Sequence, residues 1–88
     1  MTNSVAIVMG SKSDMALAEA TKEVLDGYGI GSVIKVLSAH RTPEALKEFI
    51  ENTIKDGTKV FVGIAGLAAH LSGNIAAHTT LPVIGIPG

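Results

Sequence analysis

Val5-Ala6-Ile7-Val8-Met9-Gly10-Ser11-Lys12-Ser13-Asp14 is the stretch on which the fold turns. Its first five residues form a β-prone run with no polar alternation, the pattern of a strand covered on both faces, and Gly10 ends it. The first strand is therefore central. After the Gly10–Asp14 turn, Leu17, Thr21, Val24, Leu25 and Tyr28 recur at three-and-four spacing, while Glu19, Lys22, Glu23 and Asp26 take the other face. This predicts an amphipathic helix with its apolar stripe turned inward, stopped by Gly27 and Gly29.

The alternation continues along the chain. Val33 to Leu37 reads as a second strand, followed by the loop Ser38-Ala39-His40-Arg41 and a helix start at Thr42-Pro43-Glu44. There Thr can cap, Pro fits the first turn, and Glu suits the positive end of the helix dipole. Leu46, Phe49, Ile50, Thr53 and Ile54 make the buried stripe of this second helix, and Asp56-Gly57 ends it. Val60 to Ile64 is the third strand. The small-residue stretch Ala65 to Gly73 leads into a short helical segment near Asn74 to Ala77, and Leu81 to Ile86 reads as a fourth strand. Strands alternating with helices at this spacing mean right-handed parallel units. The fold class is α/β, a three-layer open parallel sheet of flavodoxin-like or Rossmann-like type, in one domain spanning 1–88. The chain stops after the fourth strand, so the sheet is expected to be incomplete at its C-terminus, with a free edge and an uncovered face. Either the chain is a fragment or other subunits supply the cover.

Bulk properties narrow the function. Hydrophobic residues make up 47% of the 88 and aromatics 3%, so the core must be built from Val, Ile, Leu and Ala. A net charge of -1 leaves no basic stripe for nucleic acid and no polybasic segment for an anionic membrane. The absence of cysteine rules out disulfides and thiolate chemistry. Met1 to Ser4 carries no basic residue ahead of the first apolar run, and the longest apolar stretch, Val60 to Ala69, is too short to span a bilayer, so a cytoplasmic location is expected.

In an open parallel sheet, ligands bind beyond the carboxyl ends of the strands where strand order reverses. Three segments lie there. Gly10-Ser11-Lys12-Ser13-Asp14 sets hydroxyls and backbone N–H groups at a helix N-terminus, suited to a phosphate or carboxylate, and adds an acid suited to ribose hydroxyls. Helix capping by Ser11 or Ser13 is an equally open reading. Ser38-Ala39-His40-Arg41 places an imidazole beside a guanidinium. Arg offers phosphate a bidentate fork, and His passes a proton in either direction near neutral pH. A loop His and a surface Arg paired with Glu44 is the plainer alternative, and position at a strand end favours function. Ala65 to Gly73 reads first as tight packing of helix on sheet. His78, near a helix end, reads as a cap or dipole partner.

Together, Gly10-Ser11-Lys12-Ser13-Asp14, Ser38-Ala39-His40-Arg41-Thr42-Pro43, and Ala65-Gly66 with Ala68-Ala69-His70-Leu71 and Gly73 resemble the three site loops of the N5-carboxyaminoimidazole ribonucleotide mutase family. The resemblance runs from Val5 to Pro87, and Ser-Ala-His-Arg-Thr-Pro is its most specific piece. Arg41 looks like the bacterial mutases, whereas related carboxylases using aminoimidazole ribonucleotide and CO2 directly tend to have Lys there. The resemblance implies that His40 transfers the proton, that Ser11, Ser13 and Asp14 contact the phosphoribosyl part, and that Arg41 holds the phosphate. It also implies that Ser38 and Ala39 line the carboxylate side and that Gly66 and His70 belong to a loop closing over the imidazole. The implied reaction moves CO2 from a ring-attached amine to the adjacent ring carbon of a small-molecule ribonucleotide, with no metal and no cofactor. The implied assembly is a homo-oligomer, an octamer. Leu67 and Ser72 depart from the family, which commonly has Gly or Met and often Pro at these places. Two rivals stand beside this reading: the direct carboxylase, and a non-catalytic module that binds a phosphorylated ligand.

Overall fold

The computed structural model describes residues 3–37, 43–65 and 70–87, and within them the elements alternate as the spacing requires. In chain order they are β1 (Val5–Met9), α1 (Met15–Gly27), β2 (Ser32–Val36), α2 (Pro43–Lys55), β3 (Val60–Ala65), α3 (His70–Ala76) and β4 (Val83–Pro87), with a 3-10 turn, Lys12–Asp14, ahead of α1. The strands are parallel in the order β2-β1-β3-β4, an α/β sheet of the flavodoxin-like kind. β1 is central, as its unbroken apolar run requires, and every one of its residues is buried.

Alternation along β1 feeds two cores. Ala6 and Val8 join Leu37, Leu46, Ile50, Phe61, Leu71 and Ile75 beneath α2 and α3. Val5, Ile7 and Met9 join Ala18, Val62 and Ile64 beneath α1. The result is three layers. Apolar burial of about 1.5 to 3 kcal/mol for each large aliphatic side chain is the main favourable contribution in such a core.

Both long helices end in the same way, because glycine alone enters the left-handed region there without strain. Gly29 has φ 73° and Gly57 φ 109°. At the first end Ile30 N–H donates to Leu25 O at 2.9 Å and Gly29 N–H to Asp26 O at 3.0 Å; at the second, Thr58 N–H donates to Thr53 O at 2.9 Å and Gly57 N–H to Ile54 O at 3.1 Å. These are paired Schellman closures that satisfy the last helical carbonyls. They also aim the chain into β2 and β3.

Several expectations are corrected. The stripe assigned to the inner face of α1 is largely outward: Leu17 is 37% exposed, Val24 60% and Tyr28 79%. The sheet instead receives Ala18, flanked by Met15 and Leu25. Apolar and small residues run round most of α1, so period alone does not choose the arc, and the small Ala18 permits the closest approach to β1. Lys22, placed on the solvated face, donates from Nζ to Ser32 O at 3.3 Å and Ser32 Oγ at 3.4 Å, tying α1 to the start of β2. Ile54 in α2 is 37% exposed, although Leu46, Ile50 and Thr53 are buried as expected. α3 begins at His70 rather than near Asn74, because burial of Leu71 and Ile75, one helical turn apart, outweighs the poor propensity of Ser72 and Gly73. On the outer strand, Ile84 is 53% exposed. No helix among the described residues is long and apolar enough to cross a membrane.

The glycines give a stability test of opposite signs. An added Cβ at Gly27, inside α1, meets nothing within 4 Å. Gly27→Ala is expected to stabilise by about 0.5 to 1 kcal/mol, whereas Gly57→Ala, forced into the left-handed region, costs about 1 to 2 kcal/mol. Urea unfolding of both variants checks this, and equal effects would remove the Schellman account.

Candidate functional site

The candidate site is set by where β1 hands the chain to its neighbours. β2 lies on one side of β1 and β3 on the other, so strand order reverses at β1, and its carboxyl end is the expected ligand position. Two backbone bonds lock that end: Leu37 N–H donates to Met9 O at 2.8 Å, and Gly10 N–H donates to Ile64 O at 3.2 Å. The exits of β1, β2 and β3 are thereby held at one edge of the sheet.

From Gly10 the chain enters a short hydroxyl-rich turn. Ser11 is extended, with φ -151° and ψ 148°, and its Oγ accepts from Ser13 N–H at 3.2 Å. Ser11 Oγ also lies 3.0 Å from Ser13 Oγ, and Asp14 N–H donates to Ser11 O at 3.1 Å. The capping reading thus holds for Ser11, but what it caps is the 3-10 turn and not α1. Both hydroxyls remain exposed, and Lys12 points into solvent with them. Asp14 occupies the N-cap position of α1, half-buried, yet its carboxylate makes no capping hydrogen bond. An acid in that place without the local bond it is suited to make is free to accept from a ligand hydroxyl.

The structure brings Ser11, Ser13 and Asp14 together. Ser38, Ala39, His40, Arg41 and Gly66 lie outside the described residues, as does the side chain of His70. Their anchors are described: Leu37 is buried beside Met9, Pro43 opens α2, Ala65 closes β3, and the backbone of His70 opens α3. His70 therefore belongs to a helical first turn and not to a free loop. His78 is remote from this edge. It follows α3, whose N–H groups at Ala77 and His78 still donate to Gly73 O and Ile75 O at 3.0 Å each. There it lines an open cleft of about 520 Å³ with Ile54, Ala76, Ala77, Thr79 and Thr80, at the amino ends of the strands. A lysine four residues before Asp26 reads in sequence as a surface ion pair, and that pair is present at 3.5 Å; the tie from the same Nζ to Ser32 depends on the fold.

Comparison with known proteins adds the following. A family profile described as AIR carboxylase matches residues 4–88. A probable N5-carboxyaminoimidazole ribonucleotide mutase from Methanobrevibacter smithii is 51% identical over 87 residues, 99% of this chain and 26% of that protein. The N5-carboxyaminoimidazole ribonucleotide mutase of Haemophilus influenzae is 50% identical over 86 residues, 98% of this chain and 52% of that protein. The crystal structure of Treponema denticola PurE superposes with a TM-score of 0.90 at 34% identity, covering 96% of this chain and 54% of that one. The chain thus spans at most about half the length of these relatives.

The turn separates structure from function in a testable way. Ser11→Ala removes an acceptor that closes the 3-10 turn and is expected to cost about 0.5 to 1 kcal/mol. Asp14→Ala removes no capping bond, so its unfolding free energy should stay within about 0.5 kcal/mol of the parent. Denaturant titration of both decides. A larger loss for Asp14→Ala would make that carboxylate a structural group.

Proposed function

We propose, on the premise that the chain belongs to the AIR carboxylase family, that its activity is that of an N5-carboxyaminoimidazole ribonucleotide mutase, an isomerase of purine biosynthesis acting in the cytoplasm. The observation that carries this reading is the convergence of the exits of β1, β2 and β3 at one locked edge, in a chain the family profile matches from residue 4 to residue 88. The motif residues follow directly from those exits in sequence.

The reaction moves CO2 from the exocyclic nitrogen to the neighbouring ring carbon. His40 protonates the carbamate nitrogen, the N–C bond breaks, and CO2 departs into the pocket. The ring carbon then attacks CO2, and the neutral imidazole left by the first step removes the ring proton. Protons balance over the cycle, and one group serves as acid and then base because an imidazole ordinarily exchanges its proton near neutral pH. The remaining residues position the substrate: Ser11, Ser13 and Asp14 hold the phosphoribosyl part, Arg41 the phosphate, Ser38 and Ala39 the carboxylate side, with Gly66 and His70 closing over the ring. Retaining CO2 between steps is a matter of positioning and of excluding water, which a rigid sheet edge supports. No metal or cofactor enters the scheme. The working assembly is a homo-oligomer of chains with the relatives' length.

Two experiments test this, both in a chain extended to the relatives' length. His40→Asn is expected to abolish transfer of an isotope-labelled carboxylate while ribonucleotide binding persists; near-normal transfer would remove His40 from the mechanism. Arg41→Ala is expected to weaken ribonucleotide binding by about 1.5 to 3 kcal/mol and to leave the unphosphorylated nucleoside little changed. Calorimetric titration with both ligands checks it, and equal losses would show that Arg41 does not hold the phosphate. A requirement for added bicarbonate with aminoimidazole ribonucleotide as substrate would favour the direct carboxylase.

A further inference from the structure

Two aspartates in the sequence are followed directly by glycine, Asp26-Gly27 and Asp56-Gly57. In such a pair the glycine backbone nitrogen can attack the aspartate side-chain carbon, because no Cβ shields that nitrogen or limits the rotation that brings the two together. The fold treats the two pairs differently. Asp26-Gly27 lies inside α1, which runs Met15–Gly27, so its peptide unit belongs to the helical ladder. The chain is closed again just beyond it, where Tyr28 N–H donates to Leu25 O and Gly29 N–H to Asp26 O at 3.0 Å each. The Asp26 carboxylate is also engaged, 3.5 Å from Lys22 Nζ in the preceding turn, which draws it away from the Gly27 nitrogen. Attack at this pair requires the last turn of α1 to open.

Asp56-Gly57 lies just past α2, which ends at Lys55. Asp56 N–H donates to Asn52 O at 3.1 Å, with the span of a regular helix, but Gly57 N–H makes only the shorter-span closure to Ile54 O at 3.1 Å. Gly57 has φ 109°, so the peptide unit joining the pair sits where the chain leaves the helix. Among the described residues the Asp56 carboxylate has no ion-pair or hydrogen-bond partner. Terminal turns of this kind open far more readily than helix interiors.

We propose that Asp56-Gly57 is a site of spontaneous backbone rearrangement, in which Asp56 becomes isoaspartate through a cyclic imide, and that the fold protects Asp26-Gly27 from the same reaction. The Gly57 nitrogen bonds to the side-chain carbon of the protonated Asp56 carboxyl group, and one carboxyl oxygen leaves as water with the carboxyl proton and the nitrogen's proton. Water then adds to either carbonyl of the ring. Opening at the side-chain carbonyl restores aspartate, whereas opening at the main-chain carbonyl leaves the chain running through Cβ and Cγ. No oxidant, reductant or further reactant enters. The added backbone methylene shifts Gly57 and Thr58 against α2, so the bonds to Ile54 O and Thr53 O and the tie from Thr58 Oγ1 to Asn3 O, 2.9 Å, cannot all be kept. This inference does not depend on the proposed activity.

The test is to hold the chain at neutral pH in heavy-oxygen water, digest it in ordinary water, and weigh the peptides that carry the two pairs after separating their aspartate and isoaspartate forms. In the folded chain, label and isoaspartate should accumulate at Asp56 about fivefold or more faster than at Asp26. In urea the two rates should come within about twofold of each other, since both pairs then lie in open chain. Asp56→Glu, which would have to close a larger ring, should remove the label from its peptide and leave Asp26 as it was. The isolated isoaspartate form should unfold at lower urea than the parent. The proposal is overturned by no label at Asp56, by label at Asp26 appearing as fast in the folded chain, or by a difference that persists in urea. It is equally overturned by label that survives Asp56→Glu, or by an isoaspartate form as stable as the parent.

Discussion

Strand β1 is hydrogen-bonded on both sides and covered on both faces, and the rest of the molecule is arranged to allow it. A buried backbone must find a partner for each N–H and C=O, so a strand without polar residues requires neighbours on either side and helices above and below. The chain meets this demand by crossing over α1 to place β2 on one side, then over α2 to place β3 on the other. Reversal of strand order at β1 is the consequence. The edge at its carboxyl end, held by the bonds from Leu37 to Met9 and from Gly10 to Ile64, therefore belongs to the same arrangement that buries β1.

That shared origin bears on the proposed chemistry. A reaction that releases CO2 and recaptures it depends on keeping its partners in place, and the edge supplies rigidity through backbone bonds while the turn after β1 supplies hydroxyls and a carboxylate. The Ser11–Ser13 contact organises the turn internally, leaving Asp14 unengaged at the head of α1. Lys22 contributes from a distance. By fastening α1 to Ser32 it sets the helix whose N-cap is Asp14.

Polarity is distributed as unevenly as function. All the carboxylates, lysines and the arginine lie in the first two βα units and the turn into β3, whereas β3, α3 and β4 rely on small and aliphatic residues. On that side Leu71 and Ile75 of α3 are buried, yet Ile84 on the outer strand is not. Among the described residues α2 and α3 pack on one face of the sheet and α1 on the other, over β1 and β2.

The sequence by itself determined the α/β class, the central place of β1, the two glycine-closed helices and the segments at which chemistry is to be sought. Each of these follows from local causes: an unbroken apolar run, a capping residue, a glycine where φ must be positive, or loops that must leave a parallel strand at its carboxyl end. The tertiary structure alone decided which arc of α1 meets the sheet, because apolar residues surround most of that helix and only contact with β1 selects Ala18 over Leu17 and Val24. It also decided that α3 begins at His70, where burial of Leu71 and Ile75 overrides weak propensity, and that Lys22 is a tie to β2 and not merely half of a surface ion pair. These outcomes depend on residues distant in sequence, and periodicity along a single segment holds no record of them.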